Sequence, residues 1–261
     1  MTQLWHLPVL FVTALVAGFV DSIAGGGGLI TLPALLSCGL SPRHALGTSK
    51  LQAAFGSAGA SWYYERAGTV AFKECTRGFL FTFVGGACGT LVVRQIDPSF
   101  LRRGIPILLF SVALYVLFKP NLGLGDRPAR FRRERFDFFF GLLMGFYDGF
   151  FGPGTGTFWT MAFMLGLGFN MRRATGHAKV MNFASNISSL LLFLPGGYVN
   201  YAAGLTMGAG QIIGARIGAR MVIKRGVKII RPIFVSVVLL LTLKLLYDAY
   251  SRPLIEELHR L

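Results

Sequence analysis

Four consecutive glycines, Gly25 to Gly28, interrupt an apolar stretch that runs from Leu7 to Val20 and resumes from Leu29 to Leu36. Each glycine costs a helix about 1 kcal/mol against alanine, so four together predict a break in the backbone. A lone acid, Asp21, stands just before it. The arrangement recurs later in the chain. Gly145-Phe146-Tyr147-Asp148 opens as Gly18-Phe19-Val20-Asp21 does, and Gly152-Pro153-Gly154-Thr155-Gly156 follows. A chain of this kind must place two interrupted apolar segments, each with an acid beside the interruption.

The repetition extends beyond the breaks. Asp21 and Asp148 are 127 positions apart, whereas Arg43-His44-Ala45-Leu46-Gly47-Thr48-Ser49-Lys50 aligns with Arg172 to Lys179 at an offset of 129. Two extra residues in the second copy account for the change. Gly85 to Gly89 aligns with Gly214 to Gly218 at the same offset. The chain therefore reads as two homologous repeats, 1–120 and 137–261, joined by a basic linker, 121–136, that carries Arg127, Arg130, Arg132, Arg133 and Arg135.

Hydrophobic residues make up 53% of the 261 residues, and charged residues only 14%, against about 25% in a soluble domain. Several apolar runs approach the roughly 20 residues that cross a bilayer, and they are continuous rather than alternating. The expected fold is all-α: a polytopic integral membrane bundle of two repeats with glycine-broken helices. The helices expected in half one are Trp5–Ala24, Leu29–Leu40, Ala45–Tyr64, Phe72–Val93 and Ile105–Phe118. In half two they are Phe136–Phe151, Phe158–Phe169, Ala174–Leu194, Tyr198–Ile223 and Pro232–Tyr247. Leu29–Leu40 is too short to span at about 1.5 Å per residue. If the pieces flanking each break form re-entrant pairs, each half crosses three times and the repeats are inverted, the plan favoured here. If every piece spans, the repeats are parallel. The opening segment lacks a basic leader and recurs internally, so it is expected to belong to the mature fold rather than to a signal peptide.

The formal charge of +15 does not point to nucleic acid, because the basic residues lie in short runs between apolar segments, as loops on the cytoplasmic side do. Cys38, Cys75 and Cys88 have no metal spacing and suggest space filling. No zincin, nucleophile-elbow or Walker pattern is present, so neither enzyme chemistry nor a cofactor is expected.

Broken helices leave amide-bearing ends with a positive dipole, which suit an anion. The candidate substrate-binding amides are those of Gly26, Gly27 and Gly28 at the first break and Gly154, Thr155 and Gly156 at the second. Lys50 and Lys179 occupy matching places in otherwise apolar or small-residue helices, where an ammonium needs a partner or a purpose. Thr48, Ser49 and Gln52 surround the first. His177, Asn182 and Asn186 surround the second, and Lys179, Asn182 and Asn186 share a helical face. Asp21 and Asp148 are candidates for proton coupling or for pairing with Lys50 and Lys179, with a purely structural helix-end role as the alternative.

At these residues the chain resembles the sulfite exporter TauE/SafE family of membrane permeases. The features that carry the resemblance are Gly18 to Pro33, Ala45 to Gln52, Gly145 to Gly156 and Ala174 to Asn186, and it extends over nearly the whole chain. The resemblance implies a multi-pass secondary transporter of the bacterial inner membrane, moving small sulfur-containing anions such as sulfite or organosulfonates. It places the site at the two breaks and at the Lys50 and Lys179 segments that follow them. Pro153 departs from the plain glycine run of the first break. A passive anion channel, a cation or metal transporter using Asp21 and Asp148, and a membrane scaffold remain as rivals. Membrane lipid is an expected partner, and self-association is left open.

Overall fold

The computed structural model describes residues 6–96 and 126–225. The expected helices Ile105–Phe118 and Pro232–Tyr247, and the first part of the linker, lie outside them. Every regular element among the described residues is a helix. In chain order they are α1 (His6–Ala24), α2 (Gly28–Ser37), α3 (Pro42–Arg66), α4 (Phe72–Gln95), α5 (Arg133–Phe150), α6 (Thr155–Gly166), α7 (Met171–Phe193) and α8 (Tyr201–Arg225). Several begin a turn earlier than the apolar runs do, because the first turn is built from polar caps. Asn170 accepts from the Arg173 amide at the start of α7. Before α3, Pro42 supplies a preset φ, while the Ser41 hydroxyl is engaged by His44 at 2.8 Å.

Two chain reversals shape the molecule. Between α1 and α2 the backbone turns at Gly25 and Gly26, whose φ values are +76° and +102°. Between α5 and α6 it turns at Gly152 and Gly154, at +96° and +85°. Only glycine takes these angles at no steric cost. The returning helices are short, 10 residues in α2 and 12 in α6. At about 1.5 Å per residue neither reaches across a bilayer.

Two buried apolar clusters occupy opposite ends of the bundle. One joins Leu10, Leu35, Ala45, Val93, Phe193 and Ala203, which are the start of α1, the return of α2, the start of α3, the ends of α4 and α7, and the start of α8. The other joins Tyr64, Cys75, Phe136, Phe163, Ala174 and Val222, drawn from the opposite ends of the long helices. The α1–α2 hairpin therefore opens toward the first end and the α5–α6 hairpin toward the second. Their tips overlap in the middle: Ile23 reaches the second cluster and Phe151 the first. The described linker residues are pinned at the second end, where the Arg127 amide donates to Gly168 O at 2.7 Å and the Arg130 amide to Gly166 O at 2.9 Å.

Glycine allows the long helices to approach closely. On α4, Gly85 and Gly89 face the α5 backbone at Leu142, Phe146 and Phe150, and on α8, Gly210, Gly214 and Gly218 face α1 at Phe11, Leu15 and Phe19. Small residues serve this purpose wherever lipid removes the hydrophobic drive between helices. A Cβ at Gly89 would fall on the Phe146 carbonyl and the Phe150 amide. Gly89→Leu is therefore expected to cost about 1–3 kcal/mol by overpacking, read as a lower melting temperature in detergent; an unchanged melting temperature would refute this packing.

Polarity is distributed inside out. Val9, Val12 and Val16 on α1, Leu80 and Val84 on α4, Phe139 and Leu143 on α5, and Ile213 and Ile217 on α8 are exposed, Phe139 to 64%. Lys50, Lys179, Asp148, Gln52 and Asn182 are buried. The windows His6–Ile23 and Phe72–Gln95, with mean hydropathies of 1.8 and 1.4, are long and apolar enough to cross a membrane.

Candidate functional site: two hairpin tips joined by crossed ion pairs

The two tips touch. A Cβ on Gly25 would strike the backbone of Gly156 and Thr157, and one on Gly28 would press on Pro153. Each acid stands within the last turn of its helix, Asp21 in α1 and Asp148 in α5. The Gly25 amide donates to the Asp21 carbonyl at 2.9 Å, and the Gly27 amide to Asp21 Oδ1 at 3.0 Å, so the carboxylate itself holds the first turn of α2. At the other tip, the Thr155 hydroxyl donates to Asp148 Oδ1 at 3.3 Å.

The lysines cross between the hairpins. Lys50 Nζ, on the helix after the first hairpin, lies 2.8 Å from Asp148 Oδ1 of the second and also donates to the Asp148 carbonyl. Lys179 Nζ, on the helix after the second hairpin, lies 2.7 Å from Asp21 Oδ2 of the first. Each lysine thus neutralises the acid of the hairpin that does not precede it. Charges this deep are tolerated only when they are paired and hydrogen-bonded.

A cavity of about 50 Å³ lies between the tips, with room for a few waters or one small polyatomic ion. Gly26, Gly27, Gly28, Ser49, Lys50, Gln52, Gly154, Thr155, Gly156, Asn182, Asn186, Asp21 and Asp148 line it. Three other residues singled out in the sequence do not. Lys179 is fully buried behind Asp21. Thr48 faces the α7–α8 link, where its hydroxyl accepts from the Asn200 amide at 2.9 Å. The buried His177 ring lies against Phe163 and Phe169, at 5.4 and 4.8 Å between centroids, with Nδ1 at 2.9 Å from the Arg173 carbonyl.

Two amide oxygens beside the cavity have no partner, Gln52 Oε1 and Asn182 Oδ1. Gln52 is oriented by a relay: its Nε2 donates to Thr31 Oγ1 at 3.1 Å, and the Thr31 hydroxyl donates to Gly27 O at 3.2 Å. Unpaired buried polar atoms are rare, and these two stand where a water or polar ligand would satisfy them. Backbone amides at the tips, the Lys50 ammonium, the two carboxylates and the two open amide oxygens give the cavity both hydrogen-bond donors and acceptors.

Some residues at the site went unremarked in the sequence. Gln211 of α8 lines the cavity and packs on Gly18 and Gly56. A single glutamine within a glycine-rich apolar helix was the available signal. The Ser185 hydroxyl donates to Asp148 Oδ2, and it lies three residues after Asn182, on the face already marked by Lys179 and Asn182. Among the described residues no cluster of three or more His, Cys, Asp or Glu side chains could hold a metal.

Exposed apolar flanks around a buried, internally neutralised polar cavity define a membrane transporter rather than a soluble protein. Comparison with known proteins agrees. The profile of the sulfite exporter TauE/SafE family matches residues 10–245. The probable membrane transporter protein YfcA of Escherichia coli is 46% identical over 252 residues, covering 97% of this chain and 94% of the relative. A probable membrane transporter protein of Haemophilus influenzae is 46% identical over 242 residues, covering 93% and 95%. The probable membrane transporter protein YunE of Bacillus subtilis is 25% identical over 269 residues, covering 92% and 97%. No solved structure matches significantly. The chain belongs to the TauE/SafE family of membrane transporters.

Proposed function

We propose that this chain is a secondary permease for small anions of the sulfite and organosulfonate type, built from two inverted repeats in the bacterial inner membrane. The repeats are 1–120 and 137–261. The reading rests above all on the crossed pairs, Lys50 with Asp148 and Lys179 with Asp21, which tie both glycine tips to one cavity. Helix ends aimed at a shared hollow supply positive potential without a bare cation. Hairpins opening to opposite ends support inversion, since equivalent segments then enter from opposite sides.

Orientation follows from charge. Arg66, Lys73, Arg77, Arg132, Arg133, Arg172, Arg173, Lys224 and Arg225 gather at the second end, while Arg43 and Arg94 lie at the first. The second end is then cytoplasmic, with the linker 121–136 on that side. Alternating access comes from one repeat rocking against the other about the tips. A cation transporter is the weaker reading, because both carboxylates already hold a lysine.

Uptake of labelled sulfite and methanesulfonate into proteoliposomes tests this. The expected result is protein-dependent uptake of at least one of them, with no uptake of sodium, manganese or zinc ions. Metal uptake without anion uptake would favour the rival.

A further inference from the structure

The two crossed pairs are unequal. Asp148 receives Lys50 on Oδ1, the Ser185 hydroxyl on Oδ2 and the Thr155 hydroxyl on Oδ1, and both charged side chains are 5% exposed. Asp21 receives only Lys179 on Oδ2 and the Gly27 amide on Oδ1, and its side chain is 21% exposed. In the repeat alignment Gly56 stands where Ser185 stands, so no hydroxyl can hold Asp21 from that position. Asp21 lines the cavity, while the Lys179 ammonium it covers is sealed behind it.

We propose that Asp21 is the exchanging carboxylate: it accepts a proton from the cavity, lets go of Lys179, and the uncovered ammonium receives the anion. The inference rests on the permease reading above. The step balances. The ion pair, one proton and one univalent anion become a neutral Asp21 carboxylic acid and a new Lys179–anion pair. The site starts neutral, with two acids and two lysines, and ends neutral, which suits a region where uncompensated charge is expensive. Lys50 and Asp148 stay joined and hold the second tip in place.

The charged and titratable groups around Asp21 are Lys179 on α7, Lys50 and Tyr64 on α3, and Asp148 on α5. From α2 and α6 none reaches the cavity. On α8, Arg216 and Arg220 are exposed, and the cavity sees only Gln211.

The test uses the full chain in proteoliposomes, with labelled methanesulfonate and the membrane potential clamped at zero. One proton per anion makes the equilibrium accumulation ratio change about tenfold per unit of pH gradient. The unsubstituted protein is expected to show that ratio. Asp21→Asn is expected to accumulate nothing against the gradient. As a check that needs no variant, a hydrophobic carbodiimide, which attacks protonated carboxyls, is expected to label Asp21 and not Asp148. A tenfold ratio retained in Asp21→Asn, or labelling at Asp148 instead, would overturn the assignment. Methanesulfonate uptake by the unsubstituted protein that ignores the gradient would remove the proton step alone. Complete absence of uptake would count against the permease itself.

Discussion

Lys50→Met is expected to destabilise the protein by about 3–5 kcal/mol and to abolish transport, because it strands the buried Asp148 carboxylate without a counter-charge. The side chain removed is 5% exposed and bridges the two halves at their centre. The loss comes chiefly from the acid left behind rather than from the attraction removed. The double variant Lys50→Met with Asp148→Asn is therefore expected to recover most of the stability, since neither charge remains. Thermal unfolding in detergent of the two singles and the double completes the cycle. A single variant that melts like the parent, or a double variant no better than the single, would show that the pair does not hold the tips together.

Gly25→Ala is the second large effect. The residue sits at a φ of +76°, where an L side chain is strained by roughly 1–2 kcal/mol. Its added methyl would also collide with the Gly156 and Thr157 backbone, an overpacking of about 1–3 kcal/mol. Both costs fall where the tips touch, so flux is expected to vanish along with stability. Gly39→Ala separates the two costs. Gly39 has a φ of +85° but nothing within 4 Å of where a Cβ would stand, so only the strain applies. Equal melting temperatures and equal flux for the two variants would argue against a close tip contact.

Much of this arrangement was legible along the chain. Runs of glycine after an acid announce an interruption, and a lysine within a small-residue helix announces a partner. That the acids could pair with the two lysines was legible, but which acid meets which lysine was not. Asp21 and Lys179 are separated by 158 positions, and Asp148 and Lys50 by 98. No local pattern says that each acid is matched by the lysine that follows the other hairpin. Short apolar helices such as α2 and α6 were ambiguous for a related reason, because only tertiary packing shows whether a segment turns back. Thr48 and His177 drew attention through their neighbours Lys50 and Lys179. The structure instead turns Thr48 to the Asn200 amide and His177 into the rings of Phe163 and Phe169. Spacings of three along α7 explain why Ser185, unremarkable in composition, arrives beside Asn182 at the centre.

The crossing of the lysines bears on how the protein is made. Asp21 enters the membrane early in synthesis, when the residue that neutralises it is still far from being translated. Until then the first half carries an acid that the lipid interior penalises. The first hairpin gains its charge partner only when α7 brings Lys179. Without it the first hairpin carries an uncompensated acid, and the two hairpins are stabilised by assembling with each other.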